Sequence, residues 1–186
     1  MTKPRMRNPF CASAVAAALA ATLSVAAPPA AQAREVRVHA FDCKTFGGRP
    51  IDLDFALQND SSTEVMSVVC PIPDSSSFPK ASIRTLNVHG FDNGESTGEV
   101  TSGVRAHLCT SSWFTTGGVC TSFALAGGLP GDYALGLLPL PFDSTQRGWT
   151  QNNVADFGYL RVLLPKKGAH GRATFRGYFL SDAAPF

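Results

Sequence analysis

Residues 64–73 read Glu64-Val65-Met66-Ser67-Val68-Val69-Cys70-Pro71-Ile72-Pro73. Valine and its neighbours suit a pleated, half-buried surface, so Val65, Met66, Val68 and Val69 predict an inner strand. Cys70 stands where a disulfide would staple that strand's end. Pro71 and Pro73 cannot donate ladder hydrogen bonds, so strand pairing has to stop there. Asp74 to Ser77 then supplies a polar crossing to the next strand.

The same grammar recurs along the chain. Ile51, Leu53, Phe55 and Leu57 alternate with Asp52, Asp54 and Ala56, the period of a half-buried strand. Short runs of similar character follow at 36–41, 82–91, 99–108, 120–125, 133–138, 158–164 and 172–180. Between them stand turn clusters such as Gly47-Gly48, Asn59-Asp60-Ser61-Ser62, Asp92-Asn93-Gly94 and Lys166-Lys167-Gly168. After the first segment, no window of a dozen residues keeps helical periodicity free of Gly and Pro. The expectation is an all-β chain forming a single antiparallel β-sandwich.

The first 33 residues read differently. Lys3, Arg5 and Arg7 precede an apolar run from Ala12 to Ala27, and Ala31-Gln32-Ala33 closes the segment. That is the layout of a secretory signal peptide with an A-x-A cleavage site. The apolar run is shorter than the roughly 20 residues a spanning helix needs. Cys11 precedes that run, so it is not placed for lipid attachment and leaves with the signal. Residues 34–186 are then the folded β domain. Its Lys plus Arg count falls from 16 to 13 against 14 acidic residues, a formal charge of −1. A chain of that charge gives no electrostatic footprint for nucleic acid. The expected location is exported, either periplasmic or extracellular.

Four cysteines remain after cleavage, Cys43, Cys70, Cys109 and Cys120. An even number in an exported chain predicts two disulfides. Three pairings are open, and Cys43 with Cys70 and Cys109 with Cys120 are favoured, because each closes a short loop between neighbouring segments. A zinc site is disfavoured by the absence of a C-x-x-C pair or a Cys-His cluster at ligand spacing, so no cofactor or metal is expected.

These residues also resemble a known group. The order Asn59-Asp60-Ser61-Ser62, a strand, Val69-Cys70-Pro71-Ile72, a strand opening Ile83-x-x-Leu86-x-Val88, a strand ending in Cys109, then Leu164-Pro165 and Gly177-Tyr178 is similar to exported bacterial β-sandwich proteins of unknown function. The likeness spans roughly residues 55 to 182. It implies a small secreted β domain and carries no activity. In that group a further cysteine often sits in the strand before Leu-Pro, where this chain has Val162 and Leu163. Cys120 appears instead, which supports a local Cys109 to Cys120 bridge.

Several constellations compete for chemistry. Gly94-Glu95-Ser96-Thr97-Gly98 matches G-x-S-x-G, but a nucleophile elbow needs a strand dropping into a helix, and this one opens a polar turn. A serine hydrolase would add His170 and Asp132, Asp143 or Asp156. Asp52 and Asp54 sit about 7 Å apart on one strand face, a separation that an inverting glycosidase pair uses. Such a pair equally forms a solvated outer face of a strand. Asp92, Asn93, Glu95 and Glu99 are calcium-type ligands without calcium-loop spacing. His39 and His89 share V-H-x-F-D, and with His107 they would form a metal site only if their strands were neighbours. Trp113 and Phe114 lie within the small presumed disulfide ring. Trp149 is surrounded by Gln146, Arg147, Gln151, Asn152 and Asn153, a setting in which an indole stacks on a sugar while amides bind its hydroxyls, or caps the sandwich core. The resulting expectation is a non-enzymatic exported β-sandwich with a glycan or protein ligand held through Trp113, Phe114 and Trp149. A small secreted hydrolase and a metal-binding module are the alternatives.

Overall fold

The computed structural model describes residues 33–53, 55–95, 103–112, 118–127, 129–138 and 156–183. Twelve strands lie among the described residues: β1 Glu35–His39, β2 Lys44–Phe46, β3 Pro50–Leu53, β4 Ala56–Asn59, β5 Met66–Pro71, β6 Thr85–Asp92, β7 Arg105–Ser112, β8 Gly118–Cys120, β9 Ala124–Leu125, β10 Gly131–Gly136, β11 Asp156–Leu164 and β12 Thr174–Ser181. The helical elements among the described residues are 3-10 turns at Ala40–Asp42 and Lys80–Ser82.

Two antiparallel sheets form a sandwich. The first runs β10-β6-β12-β4-β3, with β1 also pairing β12. The second runs β2-β5-β11-β7-β8, with β9 also pairing β7. The opening stretch becomes β5, an internal strand between β2 and β11. Met66, Val68 and Cys70 turn inward while Ser67 and Val69 remain partly accessible. The Ile72 amide donates once more to the Gly158 carbonyl at 3.0 Å, after which Pro73 has no hydrogen to give.

The core takes one face from each sheet. Leu86, Val88, Tyr178 and Leu180 meet Val68, Leu108, Leu160 and Val162, all nearly inaccessible. Each fully buried aliphatic side chain stabilises the fold by about 1.5–3 kcal/mol before entropy opposes it. Disulfides join Cys43 to Cys70 and Cys109 to Cys120.

Residues 51–57 depart from the expected single strand. The chain doubles back, with Leu53 opposite Ala56, as a β3–β4 hairpin. Phe55 takes φ 63°, the left-handed region that a non-glycine residue adopts only in a turn or under strain. Its ring is consequently 79% exposed instead of facing the core. The 120–125 run likewise divides into β8 and β9, each pairing with β7.

Candidate functional site

The outer face of the first sheet carries an open groove of about 580 Å³. Strand register builds it. One cross-strand row sets Arg37 on β1 against Phe179 on β12, and Phe179 against Asn87 on β6. A second row sets His39 against Gly177, and Gly177 against His89. The register slips between Phe175 and Gly177, a bulge at which Arg176 is turned outward. Arg176 Nη1 meets Asp132 Oδ1 of β10 at 3.0 Å.

Gly177 forms the floor, and no other residue fits there. A Cβ would stand 2.3 Å from the Val38 carbonyl oxygen, and φ is 140°. The missing side chain keeps β1 close and leaves a depression between the two imidazoles. His39 Nδ1 accepts from the Phe41 amide at 3.3 Å, so the proton of its neutral ring belongs on Nε2. Arg37, His39, His89 and Arg176 are exposed, while Asn87 and Phe179 are half-buried. The groove thus offers two guanidiniums, two imidazoles, an amide and a ring edge, and no carboxylate lines it among the described residues.

His39 and His89 are therefore brought onto one face, while His107 belongs to β7 in the other sheet. Two strand spacings separate His39 from His89, about 10 Å. One metal ion needs its donor atoms about 3.5 Å apart, so the three histidines do not make a common site.

His107 has a different set of neighbours. It lies two residues before Cys109 on β7, and Cys109 pairs directly with Cys120 of β8. Phe123 stacks on the imidazole at 4.5 Å between centroids. The Arg105 guanidinium lies 5.3 Å from the same Phe123 ring. Burial, with the Arg161 guanidinium nearby, holds the His107 imidazolium below the usual histidine range. His107 Nε2 is buried and has no hydrogen-bond partner. An orphaned buried atom of this kind costs about 1–3 kcal/mol.

The remaining candidates divide plainly. Asp92 and Asn93 are buried and serve the backbone: Asp92 accepts from Gly94 at 2.9 Å and Val104 at 3.2 Å, and Asn93 donates to Lys166 at 2.9 Å and Gly171 at 3.1 Å. Glu95 accepts from the Ala169 amide at 3.3 Å. Those three are committed to turn structure rather than gathered around a cation. Asp52 is exposed on the β3 edge, and Asp132 on β10 is exposed and pairs with Arg176. His170 is exposed in a turn closed by Gly168 and Gly171. Asp54, Ser96, Glu99, Trp113, Phe114, Asp143, Gln146, Arg147, Trp149, Gln151, Asn152 and Asn153 lie outside the described residues.

The groove escaped sequence reading because its walls come from β1, β6 and β12, far apart in the chain. The repeated V-H-x-F-D was the one available trace of it.

The motif residues of the resemblance have structural partners. Asn59 Nδ2 donates to the Glu64 carbonyl at 2.8 Å and the Pro165 carbonyl at 3.0 Å, and its Oδ1 accepts from Arg49 at 3.2 Å and Ser61 at 3.1 Å. The Tyr178 hydroxyl donates to the Pro71 carbonyl. The Asn59, Leu164-Pro165, Cys70-Pro71 and Gly-Tyr segments are thus tied together in pairs across the sandwich.

No family model matches the chain, and no curated protein does. Among solved structures, a variant of a family 29 carbohydrate-binding module aligns with TM-score 0.43 at 11% identity over 82% of this chain and 88% of that one. A second variant, complexed with cellulohexaose, aligns with TM-score 0.43 at 8% identity over 82% and 93%. A third structure, a family 29 carbohydrate-binding module, gives 0.42 at 10% over 82% and 91%. Likeness at that level does not bear on what this chain binds.

Proposed function

We propose that this protein is an exported, non-catalytic β-sandwich that binds an acidic glycan segment in the groove above Gly177. The groove itself carries the reading. Its Arg37 and Asn87 supply fork-shaped and amide donors suited to carboxylate and hydroxyl groups, and Phe179 supplies an apolar surface for a sugar face. With no carboxylate among the described lining residues, the groove as described offers no acid pair of the kind glycoside hydrolysis uses, which favours binding over cleavage. Export rests on the signal-like residues 1–33, and two disulfides accord with an oxidising compartment. On this reading the chain is one of the exported bacterial β-sandwich proteins that its motif pattern resembles.

Calorimetry with uronate-rich and neutral oligosaccharides of equal length tests it. The uronate-rich series is expected to bind, with Arg37→Ala and Asn87→Ala each weakening binding at least tenfold while leaving the unfolding midpoint unchanged. Equal affinity for neutral chains, no binding to either, or indifference to both substitutions overturns the groove assignment. Turnover of generic esters or glycosides, lost in Ser96→Ala, would replace binding with catalysis.

A further inference from the structure

We propose that reduction of the Cys109–Cys120 disulfide converts this corner of the second sheet into a metal site, in which Cys109, Cys120 and His107 hold a thiolate-preferring divalent ion such as Zn²⁺. Donor atoms of all three residues already lie within 4.8 Å of one another. A tetrahedral ion with about 2.3 Å bonds to sulfur and about 2.0 Å bonds to nitrogen needs those donors about 3.5–3.8 Å apart, a small adjustment once the sulfurs are released.

The register makes the cluster. Cys109 and Cys120 are directly opposed, with Cα atoms 4.0 Å apart. His107 projects from the same face of β7 two residues earlier, since side chains alternate along a strand. The imidazole is preset for ligation. A hydrogen bond links its ring to the Thr121 backbone. Because Nε2 has no partner, that bond belongs to Nδ1. Metal-binding histidines are oriented in this way, one ring nitrogen donating to a carbonyl and the other directed at the ion. His107 is 6% exposed. Phe123 stacked at 4.5 Å fixes the ring plane. The Tyr159 hydroxyl, 4.0 Å from Cys120 Sγ, stands beside the remaining coordination position, which a water completes.

The chemistry balances with a dithiol as reductant. The dithiol transfers two electrons and two protons to the Cys109–Cys120 bond and becomes a disulfide itself, leaving two thiols. Binding of the divalent ion then releases those two protons as both sulfurs coordinate as thiolates. The site and the bridge are mutually exclusive, so metal occupancy reports the redox state.

Cobalt substitution provides the test. The purified protein is reduced with a water-soluble phosphine, freed of reductant without air, and titrated with Co²⁺ and then Zn²⁺. One equivalent of Co²⁺ should give thiolate-to-cobalt charge-transfer absorption and tetrahedral d–d bands, displaced by one equivalent of Zn²⁺, while the oxidised protein gives neither. His107→Ala should weaken Co²⁺ binding at least tenfold. Cys109→Ala/Cys120→Ala, which retains the Cys43–Cys70 bridge until reduction, should abolish the charge-transfer band, and Cys43→Ala/Cys70→Ala should keep it. Absence of the band, its survival in Cys109→Ala/Cys120→Ala, or a reduced chain that loses its sheet signal and does not regain it with Zn²⁺ overturns the proposal.

Discussion

Asn59 donates to the carbonyl of Pro165 at 3.0 Å, bridging 106 positions of sequence from inside the protein. The same amide reaches Glu64 and Leu164, at 2.8 Å and 3.3 Å, while its oxygen organises Arg49 and Ser61. Gly48 has to be glycine beside it, because a Cβ there would stand 2.8 Å from Asn59 Oδ1. A single side chain thus holds the loop after β4 against the end of β11.

Replacing Asn59 with alanine should cost about 2–4 kcal/mol, since several buried backbone groups lose their partner at once. Urea unfolding measures it. A change under about 0.5 kcal/mol, as expected for exposed Ser62→Ala, would show that water replaces the amide without loss.

Gly177→Ala should destabilise the protein by about 2–4 kcal/mol, because the methyl group meets the Val38 carbonyl and φ is 140°. Hydrogen exchange should locate the damage in β1, whose amides become fast before those of β6. Uniform acceleration across both sheets would contradict the local clash.

The two disulfides should differ in worth. Cys43–Cys70 spans 27 positions and Cys109–Cys120 spans 11. Loop entropy then assigns about 3.6 kcal/mol to the first and about 2.8 kcal/mol to the second. Denaturant midpoints of the paired alanine variants should fall in that order, and the reverse order would mean that native packing outweighs loop closure.

Acid should weaken the fold through Asp60 and Asp182. Hydrogen bonding from Arg172, joined by Lys167, holds the Asp60 carboxyl below its ordinary value, against the opposing effect of burial. The Arg34 amide, then its guanidinium, does the same for Asp182. Both carboxyls take up protons more readily when unfolded, so their contribution is complete above about pH 4 and disappears as pH falls through the lowered folded values. The urea midpoint of the Asp60→Asn variant should therefore vary less between pH 5 and pH 3 than that of the unaltered protein. An identical acid slope would remove Asp60 from the account.

Architecture was legible where local chemistry decides it. Pro71 and Pro73 marked the end of β5, and the short spacings within each cysteine pair matched the bridges that form. Residues 51–57 misled because apolar alternation fits one long strand and a hairpin equally, and only the positive φ at Phe55 separates them. His39 and His89 share a sequence pattern, yet their meeting depends on β12 passing between them. His107 has a similar local sequence setting, although its useful neighbours are Cys109 by strand alternation and Cys120 by register. The His107-x-Cys109 spacing was visible in the sequence, but the third member was not, because it arrives from another strand.

β1 pairs with β12, the first described strand with the last. During synthesis Glu35–His39 emerges more than a hundred residues before Gly177–Ser181, so its ladder partner does not yet exist. The first sheet cannot be completed until β12 has emerged, and contacts of such separation slow folding. The groove over Gly177 is among the last features to form, and a nascent chain cut short before β12 would leave Arg37 and His39 on an unpaired strand with nothing to bind against.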